Sequence, residues 1–182
     1  MNSTRRALLA SLLIALTVAA GQALAGVPNV ELVTLLVFLS GFLLGARAGA
    51  IVGGVAMGAH SLFNVMGAVV APMLVVQVVV YAGIGIAGAT IGPAVARLRR
   101  PALQVAVSAA SGAACALVYQ LLINLTAYYT FTSSGTLVAF IWGGVAFAVV
   151  QIVWNGAVFA VALPSTVRVL DRFRAELDGE AG

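Results

Sequence analysis

The stretch PNVELVTLLVFLSGFLLG, residues 28–45, places one carboxylate, Glu31, at the start of a run that is otherwise almost entirely apolar. An apolar run of this length after a Pro-Asn break predicts a helix over about residues 29–46, with Asn29 as its N-cap, that crosses a lipid bilayer. Acidic residues are rare in this chain, so the position of a carboxylate at the N-terminus of an apolar helix requires an explanation. The two open explanations are stabilisation of the helix N-terminus and contact with a ligand or a gate.

The composition of the whole chain is that of an integral membrane protein. Of its 182 residues, 63% are hydrophobic and 8% are charged, and the mean hydropathy is +1.14. A water-soluble globule with so few polar residues could not cover its own surface. The nine basic residues are all arginines at predicted loop positions, which is typical of topology signals and argues against nucleic-acid binding.

Breaks in the apolar pattern predict an all-α fold with six membrane spans in a single domain, residues 1–170, followed by a short cytoplasmic tail, residues 171–182. The uncharged stretches between the arginine clusters are too long for one crossing each, so turn residues must divide them. The breaks are Pro28-Asn29, Arg47, residues 63–72, residues 97–100 and residues 127–136. The helices so defined include residues 7–25, 29–46, 102–125 and 136–163. Residues 168–182 predict a short amphipathic helix with a frayed acidic end.

The arginines predict the orientation of the chain in the membrane. If the chain crosses six times, all of them fall on one side, and Glu31 is the only formal charge on the other. By the positive-inside rule that side is the cytoplasm, which places both termini inside and the protein in the cytoplasmic (inner) membrane. An alternative for the N-terminal segment is a cleavable signal peptide ending at Ala23-Leu24-Ala25. Cleavage would remove the parity of the remaining arginines.

Polar side chains within the spans predict an outward-facing cavity, because each is costly in hydrocarbon unless it faces protein, water or a ligand. Several fall at i, i+4 spacing, which places each pair on one helix face. The candidate substrate-binding residues are Glu31, His60, Asn64, Gln77, Gln120, Asn124, Tyr128, Trp142 and Gln151. The alternative is that the amides join helices and that the aromatic residues form an interfacial belt. For His60 alone, a satisfied interior residue is the competing interpretation.

The sequence offers no catalytic constellation and no cofactor or metal site. It has a single histidine, a single cysteine and no second carboxylate near Glu31, so neither an acid/base pair nor a metal cluster can be assembled. We therefore expect a protein that is not an enzyme. The G-x-G-x-x-G pattern at residues 83–88 lacks the preceding strand of a dinucleotide site. Close helix packing explains it better, together with the glycines at residues 49, 53, 54 and 58.

Small residues recur every fourth position along the first helix. They are Ala7, Ser11, Ala15 and Ala19. Such a stripe lets another helix approach closely, which is how helices associate in lipid. It predicts either packing within the protein or a docking surface for a separate membrane protein, formed by Ser11, Ala15 and Ala19.

The segments SLLIALTVAA, PNVELVTLLVFLSGFLLGARAGAIVGGVAM, SLFNVMG and APMLVVQVVVYAGIGIAGA together resemble the substrate-binding S component of energy-coupling factor (ECF) vitamin transporters. The resemblance covers about residues 7–90 and continues as a hydropathy pattern to residue 170. It implies a protein that binds a vitamin or related micronutrient from outside. It also implies docking, through the helix-one stripe, onto a transmembrane T component driven by two cytoplasmic ABC ATPases. This chain has Asn64-Val65 where many members of that family have Asn-Pro.

The predicted outer half contains no arginine, so a carboxylate-rich or phosphorylated ligand would find no fixed cation there. A neutral or cationic heteroaromatic molecule fits better. The main alternative function is a membrane scaffold such as an MreD-like cell-shape protein, which needs packing faces but no outward polar cavity. A stand-alone channel or secondary carrier is a third possibility, although the sequence shows neither clear repeats nor broken helices.

Overall fold

The part of the chain that the structure describes folds into six helices and contains no strand. The structure, a computed structural model, describes residues 3–65, 67–132 and 136–179, with side chains as far as residue 173. In chain order the helices are α1 (Ser3–Ala23), α2 (Val33–Leu44), α3 (Ala46–Leu62), α4 (Ala71–Ala96), α5 (Pro101–Phe131) and α6 (Leu137–Gly179). The predicted all-α fold is confirmed over these ranges.

Four of these helices, α1, α4, α5 and α6, are long and apolar enough to cross a membrane. The other two are shorter: α2 has 12 residues and α3 has 17. At 1.5 Å per residue they reach about 18 and 26 Å, less than the ~30 Å hydrocarbon core of a bilayer. The described helices therefore indicate a multi-pass membrane protein, in which two helices are shorter than a full crossing.

The start of α2 differs from the sequence prediction. The helix begins at Val33, and Asn29 lies before it in a left-handed conformation with φ 61°. Asn29 is therefore not the N-cap, and that prediction was wrong. The Glu31 side chain instead satisfies an N-terminal amide, because its Oε2 accepts a hydrogen bond of 2.8 Å from the backbone N–H of Thr34. A carboxylate at this position suits the positive end of the helix dipole.

The last two helices are longer than predicted. Helix α5 continues to Phe131, and α6 runs without a break from Leu137 to Gly179 through the buried Pro164. The separate amphipathic helix predicted at residues 168–182 is instead the end of α6. The last three residues of the frayed acidic end predicted within residues 168–182 lie outside the described residues.

Helix α2 occupies the centre of the bundle and contacts each of the other five helices. Its Val37 and Phe38 are fully buried, and the Phe38 ring packs edge-on against Phe159 of α6 with ring centroids 5.1 Å apart. Helix α1 contacts α2 and α3, whereas α5 packs mainly against α6. This arrangement buries Val33 and Thr34 at the start of α2 and leaves Glu31, just before the helix, partly buried.

Glycines let α2, α3 and α4 approach until their backbones touch. A methyl group on Gly85 would overlap the carbonyl group of Gly49, and one on Gly41 would overlap the carbonyl group of Gly85. The close packing predicted for Gly49 and Gly85 is confirmed here, and also at Gly88, which lies against the Phe38 carbonyl group. Gly83, in the same pattern, has no atom within 4 Å of a built Cβ.

Candidate functional site

A cavity of about 390 Å³ lies where α1 ends and α2 begins. Its wall comes from the α1–α2 connection and from α3, α4, α5 and α6. The polar and aromatic residues that line it are Asn29, Glu31, His60, Asn64, Tyr81, Tyr119, Gln120 and Gln151. This volume lies within the range of ~300–1,000 Å³ that is typical of small-molecule sites.

Five of the nine predicted substrate-binding residues meet in this cavity. They are Glu31, His60, Asn64, Gln120 and Gln151. They come from the α1–α2 connection, from α3 and the connection that follows it, and from α5 and α6, so the fold gathers residues that are far apart in the sequence. The i, i+4 pairs also lie on common faces: Asn64 Nδ2 is 3.3 Å from His60 Nε2, and Asn155 Nδ2 donates to the Gln151 carbonyl oxygen at 3.1 Å.

Glu31 is held between α2 and α6. Its Oε2 accepts from the Thr34 backbone, and its Oε1 accepts a hydrogen bond of 2.9 Å from Asn155 Nδ2. Trp154 Nε1 donates to the Glu31 carbonyl oxygen at 2.7 Å. The residue therefore caps α2 and also faces the cavity, so the two explanations of its position are compatible.

The amides of α5 and α6 form a connected network in the cavity wall. Gln120 Nε2 donates to Gln151 Oε1 and, at 3.3 Å, to Asn29 Oδ1. Asn124 lies outside the cavity wall, where its Nδ2 donates to Gln120 Oε1 at 3.0 Å and to the Gln120 carbonyl oxygen at 2.7 Å. Asn124 thus supports Gln120 and does not line the cavity itself.

Two tyrosines also lie in the wall, and one of them, Tyr81, was not considered a site residue from the sequence. Tyr81 and Tyr119 pack edge-on with ring centroids 5.5 Å apart, and the Tyr81 hydroxyl is 3.2 Å from Thr34 Oγ1. The Tyr119 hydroxyl accepts a hydrogen bond of 3.1 Å from Gln77 Nε2. Gln77, a predicted site residue, is buried behind the wall, where its Oε1 accepts from Ser61 Oγ at 2.7 Å. The i, i+4 spacing of Gln77 and Tyr81 on α4 was the signal in the sequence.

His60 contacts the end of α1. A Cβ built on Gly21 would lie 2.7 Å from His60 Nδ1, so a side chain at residue 21 would push against the imidazole. This Nδ1 is buried and has no hydrogen-bond partner among the described residues. The imidazole is therefore not a fully satisfied interior group in this structure.

Tyr128 and Trp142 lie away from the cavity. The Tyr128 ring packs against Tyr129 and Phe140, with centroid distances of 5.2 and 5.8 Å. The Trp142 side chain is 71% exposed. These aromatic residues lie where α5 ends and α6 begins, which fits the interfacial belt that the sequence left as an alternative.

The small-residue stripe of α1 faces outward. Ser11, Ala15 and Ala19 are exposed, as is Ala7, whereas Thr17 is buried. Packing of this stripe against the rest of the protein, one of the two interpretations, is therefore not what the described helices show. The stripe faces lipid or another protein.

Arginines lie at the opposite ends of the helices from the cavity. Arg6, in the first turns of α1, donates to the carbonyl oxygen of Leu44 at the end of α2. Arg6 and Arg47 line one surface groove, and Arg97 lines another with Asp171. Because α1 runs from Arg6 to the cavity wall at Gly21, the molecule has one basic end and one end with the polar cavity.

The arrangement of the cavity suits binding of a small molecule. It combines one carboxylate, one imidazole, amides and two phenol rings, and no group of three or more His, Cys, Asp or Glu residues in the described part of the chain could hold a metal ion. Comparisons with family models, with curated proteins and with solved structures find no match for this chain.

Proposed function

We propose that this chain is the membrane-embedded substrate-binding S component of an ECF-type ABC transporter. It imports a small vitamin or related micronutrient, neutral or cationic and heteroaromatic. In this proposal the chain crosses the cytoplasmic membrane six times with both termini inside. Its partners are a transmembrane T component and two cytoplasmic ABC ATPases, and the chain itself is not an enzyme.

The observation that carries the proposal is the cavity beside Glu31. A membrane scaffold requires helix faces that pack against partners. It does not require a cavity of about 390 Å³ lined by a carboxylate, amides and phenols. In a binding protein such groups fix the orientation of a ligand, while the apolar part of the wall buries its surface. Five of the nine predicted residues, Glu31 and Gln120 among them, lie in this wall.

Two further features support the proposal. The stripe at Ser11, Ala15 and Ala19 is exposed and its side chains are small, so a partner helix could pack closely against it. Among the described helices, α1 contacts α2 and α3 alone. The arginines at the other end of the bundle fit an inner surface, which would leave the cavity open to the outside. Both features agree with the resemblance in the first half of the sequence.

The direct test is to identify what the protein retains. The full chain is purified from its own membranes in mild detergent, and small molecules released by denaturation are identified by mass spectrometry. We expect one vitamin-like molecule at near-equimolar amount, and we expect cells that lack the chain to lose uptake of that molecule. A chain that retains nothing, and whose loss alters cell shape but no uptake, would support the scaffold instead.

A larger side chain that enters the cavity from α1 should reduce retention of the small molecule. In the Gly21→Val variant the new side chain meets His60 and Val33, because even a Cβ at this position lies 2.7 Å from His60 Nδ1 and 3.0 Å from Val33 Cγ2. We expect the amount of retained molecule, measured by the same mass spectrometry, to fall at least about tenfold, a loss of ~1.4 kcal/mol in binding.

The matched control for this variant is Gly26→Val. Gly26 lies five residues further along, and a Cβ at this position has nothing within 4 Å. This variant should retain the wild-type amount. Equal retention by both variants would mean that the ligand does not occupy this cavity.

A further inference from the structure

Two amide NH₂ groups near the cavity already donate both of their hydrogens within the protein. Gln120 Nε2 donates to Gln151 and Asn29, and Asn155 Nδ2 donates to Glu31 and to the Gln151 carbonyl oxygen. An amide NH₂ group carries two hydrogens. Neither of these two NH₂ groups therefore has a hydrogen left for a ligand.

Acceptors, by contrast, are in excess near Glu31. Each of its carboxylate oxygens accepts one hydrogen bond in the structure, whereas a carboxylate offers about four acceptor positions. The neighbouring Asn155 Oδ1 is buried and has no partner among the described residues. Glu31 lines the cavity, so the unused acceptor positions of its carboxylate are open to a ligand that donates hydrogen bonds.

The chain supplies no positive charge to offset Glu31 within the described structure. Its basic residues are arginines, none of which lines the cavity. His60 does line it, but its Nε2 faces Asn64 at 3.3 Å and its Nδ1 has no partner among the described residues. Glu31 is partly buried and lines the cavity, so its carboxylate attracts a cation that enters there, and no arginine competes for it.

We infer that the ligand of this cavity carries a positively charged nitrogen with N–H groups, and that Glu31 binds this nitrogen. Tyr81 and Tyr119 line the same cavity, and phenol rings attract cations through the negative potential of their faces. The inference rests on the proposed function and narrows its substrate class from neutral or cationic molecules to cationic ones. It also gives Glu31 a role in recognition besides its role in capping α2.

Three probes of one size test this inference: benzylammonium, benzyl alcohol and benzoate. Each has a single benzene ring, and they differ mainly in carrying a positive, zero or negative charge. Binding to the full chain, freed of its retained ligand and kept in detergent, is measured by isothermal titration calorimetry. We expect the Kd of benzylammonium to be at least about tenfold lower than the Kd of either other probe, a difference of ~1.4 kcal/mol.

Two variants of Glu31 test whether its negative charge causes the preference for benzylammonium. Glu31→Gln should weaken benzylammonium binding at least about tenfold and leave benzyl alcohol binding within about twofold, since one carbonyl oxygen remains to accept hydrogen bonds. Glu31→Asp keeps the charge and should keep the preference. If the Glu31→Gln variant does not fold, the order of the three Kd values on the wild-type and Glu31→Asp proteins still tests the inference.

The inference is overturned if benzyl alcohol or benzoate binds as tightly as benzylammonium, if benzylammonium does not bind, or if a folded Glu31→Gln protein keeps the preference. The proposed transport role fails by a different result. A protein that prefers benzylammonium but supports no uptake would refute the transport role and keep the inference. Uptake of a neutral or anionic molecule would refute the inference and keep the transport role.

Discussion

Cells that carry the Ala15→Leu variant are expected to lose uptake of the retained molecule, while the purified variant binds that molecule as tightly as the wild type. Ala15 is exposed in the middle of the α1 stripe, and the cavity lies at the far end of that helix. A leucine there faces lipid at no cost, but it holds a partner helix away from the small residues that allow close contact. Uptake should fall at least about tenfold, since tight packing is what associates helices in a bilayer.

The control for this experiment is the same substitution on a helix that does not touch α1. Ala110 of α5 is exposed, and α5 makes no contact with α1 in the described structure. Ala110→Leu should therefore leave both uptake and binding unchanged. Normal uptake by Ala15→Leu would refute docking through this stripe, whereas loss of binding would mean that the substitution damages the fold.

The cavity could be predicted from the sequence because a polar side chain within an apolar span must face protein, water or a ligand. His60 and Asn64, or Gln120 and Asn124, share a helix face by their spacing alone, and that face must avoid lipid. Five of the nine predicted residues do lie in the wall of one cavity. It could not distinguish a residue in the cavity wall from one behind it, such as Gln77, because both are equally well shielded from lipid.

The errors in the prediction have tertiary causes. The N-terminal region of α2 is set by Trp154 and Asn155, which lie more than a hundred residues away in the chain and bind the Glu31 backbone and side chain. Nothing local in the sequence shows these contacts, so the standard capping pattern pointed to Asn29. Trp142 was assigned to the cavity because an aromatic residue with a polar edge suits a ligand site and a membrane interface equally well. Only the packing of α6, which leaves the Trp142 side chain exposed and away from the cavity, distinguishes these two locations.

The fold itself depends most on the point where α2, α3 and α4 cross, and Gly85→Val should prevent its assembly. The backbone of Gly49 lies against Gly85 where a Cβ would be, so the added side chain meets a carbonyl group and not a flexible side chain. Overpacking a well-packed interior costs about 1–3 kcal/mol and occasionally more. Because two rigid helix backbones must separate here, we expect Gly85→Val to lower the free energy of unfolding by at least about 3 kcal/mol, the upper end of that range.

The comparison with Gly83→Val isolates this effect. Gly83 is two residues away on the same helix, and a Cβ there has no atom within 4 Å. Both variants add the same side chain to the same apolar helix, so hydropathy and helix propensity change equally. Size-exclusion chromatography should show a folded, monodisperse Gly83→Val protein and aggregated or absent Gly85→Val protein. In lipid the apolar side chains of these helices gain little by leaving the bilayer, so close backbone contact is what joins them. Equal melting temperatures for the two variants would show that the three helices are held together by something other than this crossing.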